Sequence, residues 1–410
     1  MTDLVPASQT ESSSAARART ALGVASFLAF GALLVLYGAN SSQLIEALEL
    51  DYADLGLLGS MLSLGLGGGI VLAGPVVDRL PRRPLYVGAC AIVLGAATTL
   101  GPSTTYEALL LHTIAIGFGA GFYETVLNTL IVEEHGTNAP RRLLFIHASA
   151  TAAASATPLL ISFARDFSPL TWYDAFRIAG FAHIALIVGA SFVPMRSAPR
   201  RDDTVNTVNT ANDEYRTAEP SPKDDRLALA AVCVATFAYV GVESAISLFV
   251  ADHTTTELGF DAARAARTIS AFWGGLLVGR LAIGFAPRPV GAGTTSALAA
   301  VAALLMLAFG SGVIGVPELA MASVGFFLGG VFPIMIGLAG IALPSSAGTA
   351  VGLAGGLGSL GGFVVPWLTG RLAHEHGLPF ALSTLALWLI ALVLATAFIK
   401  TRRRSSFPAP

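Results

Sequence analysis

Twelve apolar runs of roughly 20 residues, each long enough to cross a bilayer as a helix, alternate with polar intervals along the chain. They fall at 21–45, 54–77, 84–101, 105–132, 142–164 and 172–195, then at 227–251, 265–286, 292–314, 317–340, 346–371 and 379–399. The runs at 292–314 and 317–340 are nearly continuous and are divided at Gly315-Val316-Pro317. One interval is longer than the others. Residues 196–226 are polar, carry Pro199, Pro220 and Pro222, and repeat Val-Asn-Thr at 205–210. Such a stretch buries too little apolar surface to order itself. The pattern predicts an all-α membrane protein of twelve transmembrane helices. Its parts are an N-terminal tail (1–20), a six-helix half (21–195), a flexible linker (196–226), a second six-helix half (227–399) and a basic tail (400–410).

Composition excludes the alternative of two or three soluble domains in 410 residues. Hydrophobic residues make up 54% and charged residues 12%, about half the charged share of a soluble domain. Mean hydropathy is +0.70. The net charge of −2 matters less than where the charges fall. Of 24 lysines and arginines, only Arg165, Arg177, Arg264, Arg267 and Arg371 fall on one side of the predicted topology. The other side holds Arg17, Arg19, Arg79, Arg82, Arg83, Arg141, Arg142, Arg280, Arg288, the linker's basic residues and the tail from Lys400 to Arg404. The positive-inside rule makes that basic side cytoplasmic, with both termini on it, in a plasma or bacterial inner membrane. No cleavable signal peptide is expected, because the first apolar run is too long for one. Cys90 and Cys233 lie in apolar runs and imply no disulfide framework.

Candidate chemistry concentrates between Gly117 and Pro158. Gly117, Gly121, Glu124 and Asn128 are spaced to share one helical face. His147, Thr151, Ser155 and Pro158 line a face of the next run. A carboxyl group at mid-depth costs ~2.5–3.5 kcal/mol on insertion scales, so Glu124 is a functional candidate. The rest of the buried polar set is Tyr37, Asn40 and Gln43 in the first run, Tyr239 and Glu243 in the seventh, and Trp273 in the eighth. Amides bind hydroxyls and aromatic faces pack on sugar rings, which suits neutral polyhydroxyl solutes. An anionic solute calls for a mid-membrane arginine or lysine. None is expected, since Arg177 and Arg280 lie near helix ends. Simpler roles stay open: interhelical hydrogen bonding for Asn40, Asn128, His147 and Glu243, and packing for Phe272 and Trp273. Glycines such as Gly65, Gly67, Gly68 and Gly69 lie inside spanning runs and read as helix contacts, not phosphate loops. No nucleotide motif, metal-ligand cluster or catalytic triad is present in the sequence, so neither an enzyme, a cofactor nor nucleic-acid binding is expected.

Gly74-Pro75-Val76-Val77-Asp78-Arg79-Leu80-Pro81-Arg82-Arg83 resembles the signature loop of the major facilitator superfamily, with Pro81 where that family usually has glycine. The resemblance implies a gating role for Gly74, Asp78, Arg79, Arg82 and Arg83, in which an acid–arginine contact breaks as two halves rock. Gly117-Phe118 with Gly121 recurs as Gly325-Phe326 with Gly329, in the fourth run of each half, in keeping with a parallel repeat. Further stretches are similar to the fucose–galactose–glucose:proton symporter group: Gly117 to Asn128, His147 to Leu160, Tyr239 to Glu243, Phe272-Trp273-Gly274 with Gly279-Arg280, and Gly329 to Pro333. Where the fucose permease type carries a first-helix acid, Ser41 stands here.

Together these observations and the resemblance point to a secondary transporter that moves a small polar solute, a neutral sugar, by alternating access. Protons, or else sodium, would be the coupling ion, with Glu124 and Glu243 as carriers. The solute would meet Tyr37, Asn40, Gln43, Asn128, His147, Tyr239, Glu243 and Trp273. The protein is expected to work as a monomer in the lipid bilayer. Two alternatives stand: proton-driven efflux of amphipathic compounds, and a non-transporting membrane receptor, which has no use for a gating loop.

Overall fold

In the computed structural model residues 7–77, 79–135, 139–195, 225–286, 290–343 and 347–406 are described; helix is their only regular structure. The first part contains α1 (Ala7–Ala39), α2 (Ser41–Leu48), α3 (Tyr52–Val77), α4 (Arg82–Thr98), α5 (Tyr106–His135), α6 (Ala139–Phe167) and α7 (Trp172–Phe192). The second contains α8 (Arg226–Thr256), α9 (Ala262–Gly284), α10 (Ala292–Gly310), α11 (Pro317–Leu328), α12 (Val331–Ala342), α13 (Ala347–His376) and α14 (Leu378–Ser406). These helices cover the predicted runs, with α1 and α2 sharing the first and α11 and α12 sharing the tenth. α1 begins at Ala7, within the predicted tail. Among the described residues, ten segments are long and apolar enough to cross a membrane. The 17-residue α4 and the arginine-bearing α9 fall outside that set. The chain is a multi-pass membrane protein.

The break between α11 and α12 follows from Gly329-Gly330 and Pro333. Gly330 N-caps α12 with φ −91° and ψ −8°, and Pro333 has no backbone N–H to continue the ladder. A carbonyl freed inside a membrane must find another donor. Gly377, at φ +84°, is the hinge of the tight turn from α13 into α14.

Small residues set the packing inside each part, as is common between membrane helices. A Cβ at Gly117 or Gly121 would collide with the α3 backbone at Leu62 or Leu66, and one at Gly65 or Gly69 with the α5 backbone at Ile114 or Phe118. The same seam recurs in the second half. Gly275 and Gly279 of α9 meet Ala322 and Phe326, while Gly325 and Gly329 meet Phe272 and Leu276. The pair α3–α5 is thus repeated by α9–α11, which gives the short sequence echo a physical meaning.

The halves meet along α1–α8, α3–α13 and α6–α9. On α3–α13 the contact starts where Tyr52 and Gly56 touch Gly370. It continues through Ser60, which donates to the Phe363 carbonyl at 2.6 Å, and ends near Gly67 and Ser359. Gly38 of α1 lies against the Ser247 backbone of α8. The α1–α8 and α3–α13 contacts lie at or lead from the end of the bundle remote from both termini, while α6–α9 is tied in mid-helix by Ser155 and Ser270. Towards the termini, a Cβ at Gly74, Gly352, Gly355 or Gly356 would meet nothing within 4 Å. The halves are in close contact at the far end, and these positions nearer the termini have open space beside them.

Candidate functional site

Past Gly121, the glycine face of α5 leaves α3, and its next two positions are Glu124 and Asn128. Both are half-buried. Asn128 stands one turn from Glu124 on the same face of α5, and its Oδ1 is buried without a partner. Among the described residues no basic side chain forms an ion pair with Glu124. On α6, the His147 ring packs on Phe27 of α1 at 4.5 Å between centroids.

Across the seam, α8 and α9 form a second polar group around Arg280. Arg280 sits four residues short of the α9 terminus at Gly284, so its sequence position suggested a flanking cation that reaches out to water. The structure reverses that reading. The Cα–Cβ bond tilts towards the helix N-terminus, and here that direction is the interior. The guanidinium donates from Nη1 to Thr151 Oγ1 of α6 at 2.7 Å. Its Nε donates to the Gly329 carbonyl at 3.1 Å, the group freed at the α11–α12 break. Nη2 reaches the Tyr239 hydroxyl at 3.4 Å and Glu243 Oε1 at 3.9 Å. The Arg280 and Glu243 side chains are 12% and 15% exposed, so they are internal yet within reach of an entering solute. Beside them Ser155 of α6 donates to the Ser270 carbonyl of α9 at 2.8 Å, a further tie between the halves.

Trp273 is buried one helix turn further along α9, with Nε1 unpartnered. Tyr239 and Phe332 face each other at 6.3 Å. The first-run trio is arranged differently. Arg165 of α6 donates to Asn40 Oδ1 at 2.6 Å and to Gln43 Oε1 at 2.8 Å. Asn40 and Gln43 therefore clamp the far end of the first half, a partnership that the flank position of Arg165 did not suggest. Tyr37 is buried edge-on against Phe176 of α7, inside the same half.

In the loop between α3 and α4, Asp78 lies outside the described residues. Arg79 is exposed, whereas Arg82 is buried in the first turn of α4. Arg83 donates to the Val193 carbonyl at the end of α7 at 2.9 Å. Gly74 makes no close helix contact, since a Cβ there would meet nothing within 4 Å.

Sequence reasoning missed the inward reach of Arg280 and the acceptor role of Thr151. The signal lay in Gly279-Arg280, since the small residue lets α9 press against α11 and leaves the next side chain inside.

Comparison with known proteins agrees with this architecture. The profile described as Major Facilitator Superfamily matches residues 22–366. The glucose/mannose transporter GlcP of Bacillus subtilis (strain 168) is 21% identical over 388 residues, covering 93% of this chain and 94% of that protein. A glucose/galactose transporter of Brucella abortus biovar 1 (strain 9-941) is 26% identical over 325 residues, covering 75% and 76%. Among solved structures, the nucleoside transporter NupG superposes with a TM-score of 0.69 at 16% identity, covering 93% of this chain and 98% of NupG. The human organic anion transporter MFSD10 gives 0.68 at 17% identity, covering 92% and 99%. These two likenesses concern the fold.

Proposed function

The chain belongs to the Major Facilitator Superfamily, and from that premise we propose that it carries a neutral monosaccharide across the membrane, coupled to a proton at Glu124. Relatives named as glucose/mannose and glucose/galactose transporters support the solute class. The observation that carries the coupling is the contrast between two interior acids. Glu243 has Arg280 at 3.9 Å as a counter-charge. Among the described residues Glu124 has no ion-pair partner, and its neighbour one turn along the same face of α5 is the neutral Asn128. Without a cation beside it, a buried carboxyl group is more readily occupied by a proton, and water or solute entering the seam changes that balance.

Asn128, Tyr239 and Glu243 would bind solute hydroxyls, with His147 and Trp273 bordering them. Alternating access would close the termini end as the far end opens. The bias of basic residues supports a cytoplasmic location for both termini, which makes the described state inward-facing.

Purified protein in proteoliposomes is expected to accumulate labelled glucose, galactose or mannose only with an imposed proton gradient. Glu124→Gln, an isostere of the protonated acid, is expected to keep counterflow exchange and lose gradient-driven accumulation. Accumulation equal to the parent would make Glu124 structural and sink the coupling assignment.

A further inference from the structure

We infer that Arg280 is a specificity-determining residue, which with Glu243 forms a net-neutral donor–acceptor pair that accepts a diol of an uncharged solute and turns away its carboxylate counterpart. The inference rests on the sugar-transport reading above and adds Arg280 and Thr151 to the site.

Two sides of the guanidinium are anchored by neutral acceptors, at 2.7 Å on Thr151 and 3.1 Å on the Gly329 carbonyl. These bonds fix its plane from both halves of the molecule. The remaining edge is loosely held, with the Tyr239 hydroxyl at 3.4 Å and the Glu243 carboxylate at 3.9 Å. Arginine has more N–H donors than these contacts use, and a carboxylate has several acceptor positions. A purely structural buried ion pair needs close geometry to offset its desolvation, and this one stops short of a hydrogen bond. A solute hydroxyl, at once donor and acceptor, fits such a gap by accepting from Arg280 and donating to Glu243. A neighbouring hydroxyl can take the Thr151 side.

Charge decides what else can enter. The pair sums to zero, so an uncharged ring leaves the site neutral. A solute carboxylate could pair with Arg280 only by lying beside Glu243, and the interior does not screen that repulsion. Specificity of this kind is set by the repulsive partner as much as by the attractive one. Glu243 is that partner.

The experiment compares glucose with glucuronate, which share a ring and differ in charge. Binding is read by calorimetry on the full-length detergent-solubilised protein, and transport by counterflow in proteoliposomes. The parent is expected to favour glucose at least tenfold. Glu243→Gln, which leaves Arg280 uncompensated, is expected to move that ratio at least tenfold towards glucuronate. Arg280→Lys keeps the charge without the planar fork, so it should retain the preference while weakening glucose several-fold. The double variant Glu243→Gln/Arg280→Gln is again neutral, should regain a glucose preference at reduced affinity, and serves if the single variant does not fold. An unmoved ratio in folded Glu243→Gln, or undiminished glucose affinity in the double variant, means the pair is structural and overturns the inference. If the parent moves neutral sugars but none of these ratios shifts, only this inference falls. A parent that moves no neutral sugar sinks the transport reading and this inference with it.

Discussion

At the scale of single residues, Asp225 joins three helices at the termini end. Its Oδ1 accepts from the Ala228 amide at 2.9 Å and caps α8. Its Oδ2 accepts from Arg402 Nε of α14 at 2.8 Å, and its own amide donates to the Ala342 carbonyl at the end of α12. The hydrogen bond from Arg402 holds the carboxyl group below the usual carboxylate range. The ionised form is the one the fold prefers. Its stabilisation is therefore complete above the unfolded value, near ~3.9, and is lost as pH falls through the folded value. Melting temperature in detergent should show no change from this group between neutral pH and pH 5, and a loss below about pH 4. Asn is a good cap, so Asp225→Asn isolates the charge contact and should cost under about 1 kcal/mol. Asp225→Ala also removes the cap and should cost roughly 1 kcal/mol more. Equal melting temperatures for the two variants would mean the cap contributes nothing. Residues of this kind were hard to read from sequence. Asp225 stood at the edge of a polar linker, and Arg280 stood near a helix end. Distance along the chain gives a residue's depth but not the direction of a long side chain. Glu124 and Asn128 were legible because an acid and an amide one turn apart in an apolar helix are conspicuous at any orientation.

At the scale of elements, the repeated seams α3–α5 and α9–α11 depend on backbone contact that tolerates no side chain. Gly117→Leu or Gly275→Leu would drive a side chain into the Leu62 or Ala322 backbone. Such overpacking typically costs 1–3 kcal/mol, and these sites should reach at least the upper part of that range. Gly88 of α4 is the control, since a Cβ there meets nothing within 4 Å. Gly88→Ala should stabilise the helix by up to about 1 kcal/mol through propensity alone. A thermal melt of the three variants separates packing from propensity. Similar losses at Gly88 and Gly117 would count against the seam. The element pattern was largely legible, because a run of apolar residues fixes a spanning helix whatever its neighbours. The α11–α12 break was not. Hydropathy stays high through Gly329-Gly330-Val331-Phe332-Pro333, so only the backbone chemistry of Gly and Pro marks it, and the free carbonyl it creates becomes evident once Arg280 is seen to bind it.

At the scale of the whole molecule, the question is which contacts must break for the closed end to open. Gly56 and Gly370 touch through backbone, Ser60 bonds the Phe363 carbonyl, and Asp51 faces His374 Nδ1 at 3.0 Å at the mouth. The Asp51–His374 pair is half-exposed and adds little by itself. The close helix contact beneath it carries the seal. Glycine allows that contact at small cost, which suits a seam that must form and part repeatedly. Opposite it, the faces at Gly352, Gly355 and Gly356 have open space to close into. A short bifunctional cross-linker between Asp51→Cys and His374→Cys should therefore stop solute exchange completely, and cleavage of the linker should restore it. The native Cys90 and Cys233 are buried and free, so the engineered thiols should react first. With the linker in place, a third thiol from Gly355→Cys should still be labelled by a water-soluble reagent applied from the termini side. Without the linker, added solute should slow that labelling as the termini end samples closure. Transport that persists at full cross-linking would mean the α3–α13 contact stays shut throughout the cycle, and opening would then have to occur along α1–α8 and α6–α9.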